Sequence, residues 1–275
     1  MGGGARSLAI LGCGHMGRAL VSALLRRGTR PEELHVAERS AAARALLARE
    51  FAVSAVSDAR EAVEGASVIV LAVKPAELGL LLRSLQEPLK SSSPLIISIA
   101  AGVRIAALKK WCGAAAHLMR AMPNRAAFVG AGITGVYAPP QLSPSDRQQA
   151  QHILSALGEV VWVESEEALD VVTALSASGP AYFFLLTEAM REASVQLGLS
   201  RDAADRLAAG ALYGAGQLIH AGDADPARLR AEVTSKGGTT EAALRELAAA
   251  DLRGTVQRAI AAAVTRSREL ASEFG

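Results

Sequence analysis

A glycine pattern near the start of the chain constrains its fold more than any other feature of the sequence. Residues 7–11 form a short apolar run that predicts a buried strand, and Gly12-x-Gly14-x-x-Gly17 follows directly. A predicted helix then continues to about Gly28. Between a strand and a helix, glycines at this spacing permit a tight turn, the approach of a pyrophosphate and close helix–strand packing. The pattern predicts a dinucleotide-binding βαβ unit, with the phosphates on free N–H groups at the helix N-terminus.

Short apolar runs alternate with helical stretches along the first 164 residues. Further strands are predicted at residues 34–37, 51–53, 67–73, 95–99, 117–122, 132–137 and 160–163. After these, only helices are predicted, at 166–197, 201–220, 226–234, 239–249 and 251–272. Continuous apolar strands between helices are typical of a parallel sheet covered on both faces. The predicted fold class is α/β, with a Rossmann-like doubly wound domain at 1–164 and an all-helical domain at 165–275.

Composition and charge narrow the class of protein further. Charges of both signs are scattered, with a net charge of +2 and no basic block, so we expect no nucleic-acid partner. The two cysteines, Cys13 and Cys112, lack metal-ligand spacing, which predicts no metal site and a reducing compartment. The early first strand leaves no room for a signal peptide, and we find no apolar run of about 18 residues. The expectation is a cytoplasmic protein without a membrane partner.

The helical part of the chain, rich in Ala and Leu, could form a small domain by itself or an oligomer interface. Some of its predicted helices are apolar on more than one side, as in residues 208–216, where small residues permit close approach of helices. This pattern favours the interface, and we expect self-association into dimers or larger assemblies.

Candidate cofactor contacts lie in the glycine loop and after the second predicted strand. The loop contributes Leu11, Gly12, Cys13, Gly14, His15, Met16 and Gly17. After the second strand comes Glu38-Arg39-Ser40. An acidic residue there favours NAD, whereas Arg39 and Ser40 could hold the 2′-phosphate of NADP. We expect NADPH to be preferred and NADH also to be usable, unless Arg39 is only a solvated surface charge.

Three other predicted strand ends share the edge of the sheet at which ligands bind in such folds. Their candidate cofactor residues are Ala72, Val73, Lys74, Pro75, Ile99, Ala100, Ala101 and Asn124. Lys74 could bond a ribose or a phosphate, or be an ordinary lysine at the end of a strand. Asn124 could reach the nicotinamide, or simply form the turn after Pro123.

Five motifs in order resemble the pyrroline-5-carboxylate reductase family over essentially the whole chain. They are the glycine loop, AVKP at 72–75, AAGV at 100–103, LSASGPAY at 175–182 and VTSKGGTTEAAL at 233–244. The short N-terminus resembles the cytosolic animal form. The resemblance implies hydride transfer from NAD(P)H to the imine carbon of L-1-pyrroline-5-carboxylate, which gives L-proline in the last step of proline biosynthesis. It also implies domain-exchanged dimers assembled into a decamer.

The resemblance also assigns roles to residues in the helical part. It implies that Thr240 is the catalytic residue that orients the imine, with Ser235, Gly238, Thr239 and Thr240 binding the substrate. It places Glu166 near substrate from the partner subunit. A Gly-Gly turn that enters a helix does present N–H groups suited to a carboxylate. The alternatives are a helix N-cap at Thr239 or Thr240, and for Glu166 a first-turn acid that complements a helix dipole.

Two other functions fit a chain with this domain plan. A β-hydroxyacid dehydrogenase usually needs a lysine acid/base on a helix of the second domain, but after residue 110 the chain has only Lys236, in a predicted loop. A non-catalytic NADP-binding sensor would have no need of a substrate loop, yet residues 237–240 retain one. Both features favour the imine reductase. Reduction of a cyclic imine requires positioning of substrate and cofactor more than a charged catalytic set.

Overall fold

A computed structural model describes residues 8–113, 117–222 and 225–274. Ser7, the predicted first residue of the first strand, lies outside the described residues. The chain divides into two compact units. Unit 1 comprises residues 1–177 together with 263–275, and unit 2 comprises residues 178–262. The predicted boundary near residue 164 falls just after the last strand of unit 1.

Unit 1 is built on a sheet whose strand order is β3-β2-β1-β4-β5-β6-β7-β8. The strands are β1 Leu8–Leu11, β2 Leu34–Ala37, β3 Ala55–Val56, β4 Val68–Leu71, β5 Leu95–Ser98, β6 His117–Pro123, β7 Gly132–Tyr137 and β8 Gly158–Trp162. The first six strands are parallel, in the order expected of a doubly wound dinucleotide fold. β7 pairs antiparallel with β6, and β8 runs parallel to β7. The predicted α/β class is confirmed, with a reversed pair of strands added at one edge.

Helices and turns cover both faces of this sheet, which explains why the inner strands are continuously apolar. One core contains Ile10, Val36 and Val70, and the other contains Leu11 and Ile69. The helices of unit 1 are α1 His15–Arg26, α2 Ala41–Phe51, α3 Ala59–Val63, α4 Pro75–Ser84, α5 Gln86–Ser92, α6 Ile105–Cys112, α7 Pro144–Leu154 and α8 Ala168–Val172.

The third strand was wrongly predicted at 51–53. Phe51 is the last residue of α2, and Ala52 ends that helix in the left-handed conformation, with φ of 54°. Val53 is fully buried, but it lies in the loop between α2 and β3 rather than in the sheet. An apolar run with one buried residue therefore produced the local pattern of a strand without forming one. The strand itself is Ala55–Val56, one turn later.

In its described residues, unit 2 consists of helices joined by short turns. Its helices are α9 Gly179–Gln196, α10 Arg201–His220, α11 Pro226–Glu232, α12 Thr239–Ala249 and the first part of α13 Leu252–Phe274. The long helix predicted at 166–197, crossed by Gly179-Pro180, is present over 168–196, but a π-helical turn, Thr173–Ala177, separates its first part, α8, from α9. Pro180 follows in the first turn of α9, where its missing N–H costs no helical hydrogen bond.

The expectation that no stretch is long and apolar enough for a membrane span needs correction. Residues 168–196 form a run of 29 helical residues, which contains an 18-residue window with a mean hydropathy of 1.4 and so meets the criteria of length and composition. One such helix is weak evidence for a span. Its first part carries the buried acid Asp170, and its second part exposes Phe183, Phe184 and Leu185. Such an apolar surface also suits contact with another protein chain.

Candidate functional site

The three glycines of the loop between β1 and α1 have three different environments. Gly12 has φ of 91°, and a Cβ there would lie 2.7 Å from Val73 Cγ1 and 2.9 Å from the backbone of Ala72. A Cβ on Gly17 would overlap the carbonyl oxygen of Gly12. A Cβ on Gly14 would meet nothing within 4 Å. Gly12 and Gly17 are therefore required for packing, whereas Gly14 leaves open space at the start of the helix.

The N–H groups of this loop divide into used and free donors. Gly12 donates to the carbonyl of Ala37 at 2.8 Å, and Cys13 donates to Glu38 Oε2 at 2.8 Å. The hydrogen bonds of the described residues provide no acceptor for the N–H groups of Gly14, His15 or Met16. Free donors at a helix N-terminus, next to open space, form a site that fits a phosphate.

A pocket of about 590 Å³ lies beside this loop, at the carboxyl ends of β1, β2 and β4. It unites the predicted cofactor residues Leu11, Gly12, Gly14, Arg39, Ala72, Val73 and Lys74. It is also lined by residues that we did not predict: Ala37, Ser57, Ala59, Ala76, Glu77, Leu80, Leu81 and Ser84. The other predicted residues of this region do not line the pocket: Cys13, His15, Ser40 and Pro75 adjoin lining residues in the chain, and Met16 and Gly17 follow in α1. The size and position of the pocket suit the adenosine half of a dinucleotide.

One wall of the pocket was missed because it belongs to a helix surface rather than to a strand end. Glu77, Leu80, Leu81 and Ser84 recur at intervals of three or four residues, so they share a face of α4. Leu80, on the side of this face that lines the pocket, is 72% exposed. The available signal was this polar–apolar stripe directly after Lys74-Pro75.

The corner of the pocket after β2 is densely hydrogen-bonded. Glu38 points inward: Oε2 accepts from Cys13 N–H, and Oε1 accepts from Ser40 N–H at 2.9 Å. The Ser40 hydroxyl accepts from Ala43 N–H and caps α2. Arg39 Nη2 lies 2.6 Å from Glu77 Oε2. The acid is thus fixed by the backbone, while the arginine is held by an exposed side chain.

The cysteine of the loop is a packing residue. Cys13 is 1% exposed, and burial, with a smaller contribution from the Glu38 charge, raises the pKa of its thiol to about 12. Burial likewise raises the pKa of Cys112 to about 11. Because the thiolate is the reactive form, neither cysteine is a nucleophile near neutral pH.

The remaining predicted cofactor residues lie farther along the same sheet edge. Ile99 follows β5 and donates its N–H to the Leu71 carbonyl at 3.1 Å, and Ala100 and Ala101 lead into the next turn. Asn124 is buried: Nδ2 donates to the Ser176 carbonyl, and Oδ1 accepts from Ile133 N–H, both at 3.2 Å. Its described contacts stabilise the fold, and its approach to a nicotinamide stays a prediction.

Glu166 also has structural partners within unit 1. Its Oε1 accepts from Ile105 N–H at 2.7 Å, at the start of α6, and lies 2.9 Å from Arg120 Nη1. Arg120 is 2% exposed, and burial lowers its pKa while the Glu166 charge opposes that shift. Glu166 therefore complements the N-terminus of α6 and a buried cation. The substrate role that the resemblance implies for Glu166 stays a prediction.

In unit 2, the predicted substrate loop forms a tight turn before α12. Gly237 has φ of 74°, Gly238 donates its N–H to the Ser235 carbonyl at 3.0 Å, and a Cβ on Gly238 would overlap Ser235 Oγ. Gly238 itself is the N-cap residue, without a side-chain capping bond. The alternative that Thr239 or Thr240 serves as the helix cap is therefore wrong.

The start of α12 leaves donors available. Gly237 N–H is bound by Glu241 Oε2 at 2.7 Å. In the described part of the chain, the N–H groups of Thr239 and Thr240 have no acceptor. Two adjacent free N–H groups, together with the hydroxyl of the partly buried Thr240, can bind a carboxylate and orient a neighbouring polar atom.

Two family models of known proteins match this chain, one in each half. A family model described as pyrroline-5-carboxylate reductase dimerisation matches residues 166–270. A model described as NADP oxidoreductase, coenzyme F420-dependent, matches residues 7–102. The first match includes the turn before α12, and the second includes the glycine loop and the pocket.

Relatives and solved structures match nearly the full length. The pyrroline-5-carboxylate reductase of Pseudomonas aeruginosa is 41% identical over 268 residues, which cover 98% of each chain. That of Mycobacterium tuberculosis is 39% identical and covers 97% of each chain. The Coxiella burnetii enzyme structure superimposes with a TM-score of 0.92 at 36% identity, covering 97% of this chain and 99% of that one. The Plasmodium falciparum enzyme, solved with NADP bound, gives 0.85 at 27% identity, covering 96% and 98%.

Proposed function

The chain belongs to the pyrroline-5-carboxylate reductase family, and from that premise we propose how its described residues perform the reaction. The enzyme uses NAD(P)H to reduce L-1-pyrroline-5-carboxylate to L-proline, the last step of proline biosynthesis. The residue assignment rests on one observation: this chain has two separate sets of backbone N–H donors that have no acceptor among the described residues. One set follows Gly14 in unit 1, and the other follows Gly238 in unit 2. Turnover of pyrroline-5-carboxylate with each reduced cofactor tests the assignment.

The proposed cofactor site is the loop and pocket of unit 1. The N–H groups of Gly14, His15 and Met16 bind the pyrophosphate, and the pocket wall formed by α4 contacts the adenosine. The backbone at Ala72 and Val73 lies close to Gly12 and leaves no room for a side chain at residue 12. Bound NAD(P)H supplies the hydride. Unit 1 positions the cofactor and provides N–H donors that complement the negative charge of its pyrophosphate.

The proposed substrate site is the turn before α12. The N–H groups of Thr239 and Thr240 hold the substrate carboxylate, and Gly238 permits the tight approach to Ser235 that shapes the turn. The Thr240 hydroxyl accepts a hydrogen bond from the protonated ring nitrogen and so fixes the orientation of the imine. A hydroxyl is a poor acid near neutral pH, so Thr240 orients the ring without supplying its proton.

Arg39 is proposed to hold the 2′-phosphate of NADPH. We expect Arg39→Ala to raise the KM for NADPH about tenfold, because a charge-assisted hydrogen bond is lost, and to change the KM for NADH far less. Steady-state kinetics with both cofactors measure the difference. Arg49→Ala is the matched control, since Arg49 is an exposed arginine of α2 outside the pocket. Equal changes for the two cofactors would refute the 2′-phosphate role.

The chain self-associates through its dimerisation region. We propose that the apolar surface of α9 lies in that interface. We further propose that the complete assembly is a decamer in the cytoplasm. Leu185 is 67% exposed in the single chain. Burial of an apolar side chain of this size contributes roughly 1.5–3 kcal/mol, and an interface carboxylate without a partner costs more.

We expect Leu185→Asp to shift the mass measured by light scattering from an oligomer towards a single chain. Val129→Asp is the control, because Val129 is 82% exposed and lies outside residues 166–270. An unchanged oligomer in Leu185→Asp would exclude this part of α9 from the interface.

A further inference from the structure

An ion pair joins the two sides of the cofactor pocket. Arg39 follows β2, and Glu77 lies in the first turn of α4, which follows β4. β2 and β4 are the two neighbours of β1 in the sheet, and both side chains line the pocket. The 2.6 Å contact between Arg39 Nη2 and Glu77 Oε2 therefore links, within the lining of the pocket, the segments that follow the two strands flanking β1.

The backbone beneath this ion pair is held firmly. The two oxygens of the Glu38 carboxylate accept from two backbone N–H groups, and Arg44 Nη1 donates to the carbonyls of Glu38 and Arg39, each at 2.8 Å. The Arg39 side chain is 74% exposed, and in the described residues its ion-pair partner is Glu77. A bound cofactor therefore meets a fixed Glu38 carboxylate and an Arg39 guanidinium that can exchange partners.

We propose that Glu77 sets the preference between NADPH and NADH by competing with the adenosine 2′-phosphate for Arg39. This inference rests on the proposed cofactor site. A ligand with a 2′-phosphate takes Arg39 away from Glu77, and the released carboxylate then faces a like charge. A ligand with a 2′-hydroxyl can donate to the fixed Glu38 and leaves the Arg39–Glu77 pair intact.

The test compares two fragments that differ at the 2′ position. Calorimetric titration of the whole protein with adenosine 2′,5′-bisphosphate and with 5′-AMP gives their affinities without any turnover. Because exposed ion pairs contribute modestly, we expect Glu77→Gln to bind the bisphosphate about threefold more tightly and 5′-AMP with unchanged affinity. Glu87→Gln is the matched control, since Glu87 forms an exposed 2.7 Å pair with Lys90 outside the pocket.

Two further measurements exclude a general effect of removing a charge. In an Arg39→Ala background, Glu77→Gln should increase affinity for the bisphosphate less than in the native background, because no guanidinium is released and only the like-charge repulsion is relieved. In the native background the gain should shrink as salt is added, because exposed charges are screened. No selective gain, or an equal gain for both fragments, would overturn the inference while leaving the cofactor site intact. Failure of the wild-type protein to bind either fragment would overturn the proposed cofactor site and this inference together.

Discussion

Thr240→Ala lowers kcat/KM about 100-fold if the hydroxyl orients the imine, because misplacement of a reacting group by about 1 Å can have an effect of this size. The backbone donors for the carboxylate remain in the variant, so most of the loss should appear in kcat. Thr240→Ser retains the hydroxyl and should recover most of the activity. Steady-state kinetics at saturating cofactor measure all three proteins.

Stability must be separated from catalysis in this experiment. Thr240 is only partly buried and its hydroxyl caps no helix, so we expect the midpoint of thermal unfolding of Thr240→Ala to stay within about 2 °C of wild type. Thr234→Ala is the matched control, because the Thr234 hydroxyl bonds back to the Arg230 carbonyl. Wild-type kinetics in Thr240→Ala would remove this residue from the site.

Gly14→Ala should separate cofactor binding from folding. The backbone of Gly14 has φ of −64°, which alanine adopts readily, and the added methyl group meets open space. We therefore expect a loss of only about 0.5 kcal/mol in the free energy of unfolding, from the weaker N-cap. In the proposed complex that methyl group occupies the position of the pyrophosphate. Crowding of a packed contact typically costs about 1–3 kcal/mol, so the affinity for NADPH and NADH should fall about tenfold or more.

Two other glycines provide contrasting controls for this result. Gly17→Ala places a Cβ on the Gly12 carbonyl and should destabilise the fold by about 1–3 kcal/mol as well as weaken cofactor binding. Gly28 has φ of 93° and open space around it, so Gly28→Ala should destabilise the fold through backbone strain while leaving cofactor affinity unchanged. Cofactor affinity at the wild-type level in Gly14→Ala would show that the pyrophosphate lies elsewhere.

Local patterns predicted the parts of the fold that depend on neighbouring residues. Strand β2 and helices α10 and α12 begin and end at the predicted residues. In each of them, the pattern of apolar residues and the residues that flank the element indicate the same ends. The error at 51–53 arose because Val53 is buried in the loop after α2. No local pattern distinguishes such a buried loop residue from a buried strand residue. Strands β7 and β8 were predicted, but their reversed direction was not, since the direction of a strand depends on its partner in the sheet.

The site was predictable to the same extent. The glycine loop and the turn at 237–238 are local motifs with a direct physical meaning. The pairing of Arg39 with Glu77 depends on the order of strands, and the structural contacts of Glu166 join residues 46 and 61 positions apart. Side chains of this kind can be identified in the sequence as charged, but their partners follow only from the fold.

The measurement that tests the central assignment most directly is turnover of L-1-pyrroline-5-carboxylate by the purified protein, with NADPH and NADH in parallel. The assignment predicts oxidation of the reduced cofactor together with an equimolar yield of L-proline, with both rates lowered about 100-fold in Thr240→Ala. Formation of no L-proline with either cofactor, by protein that is folded and binds NADPH, would contradict it.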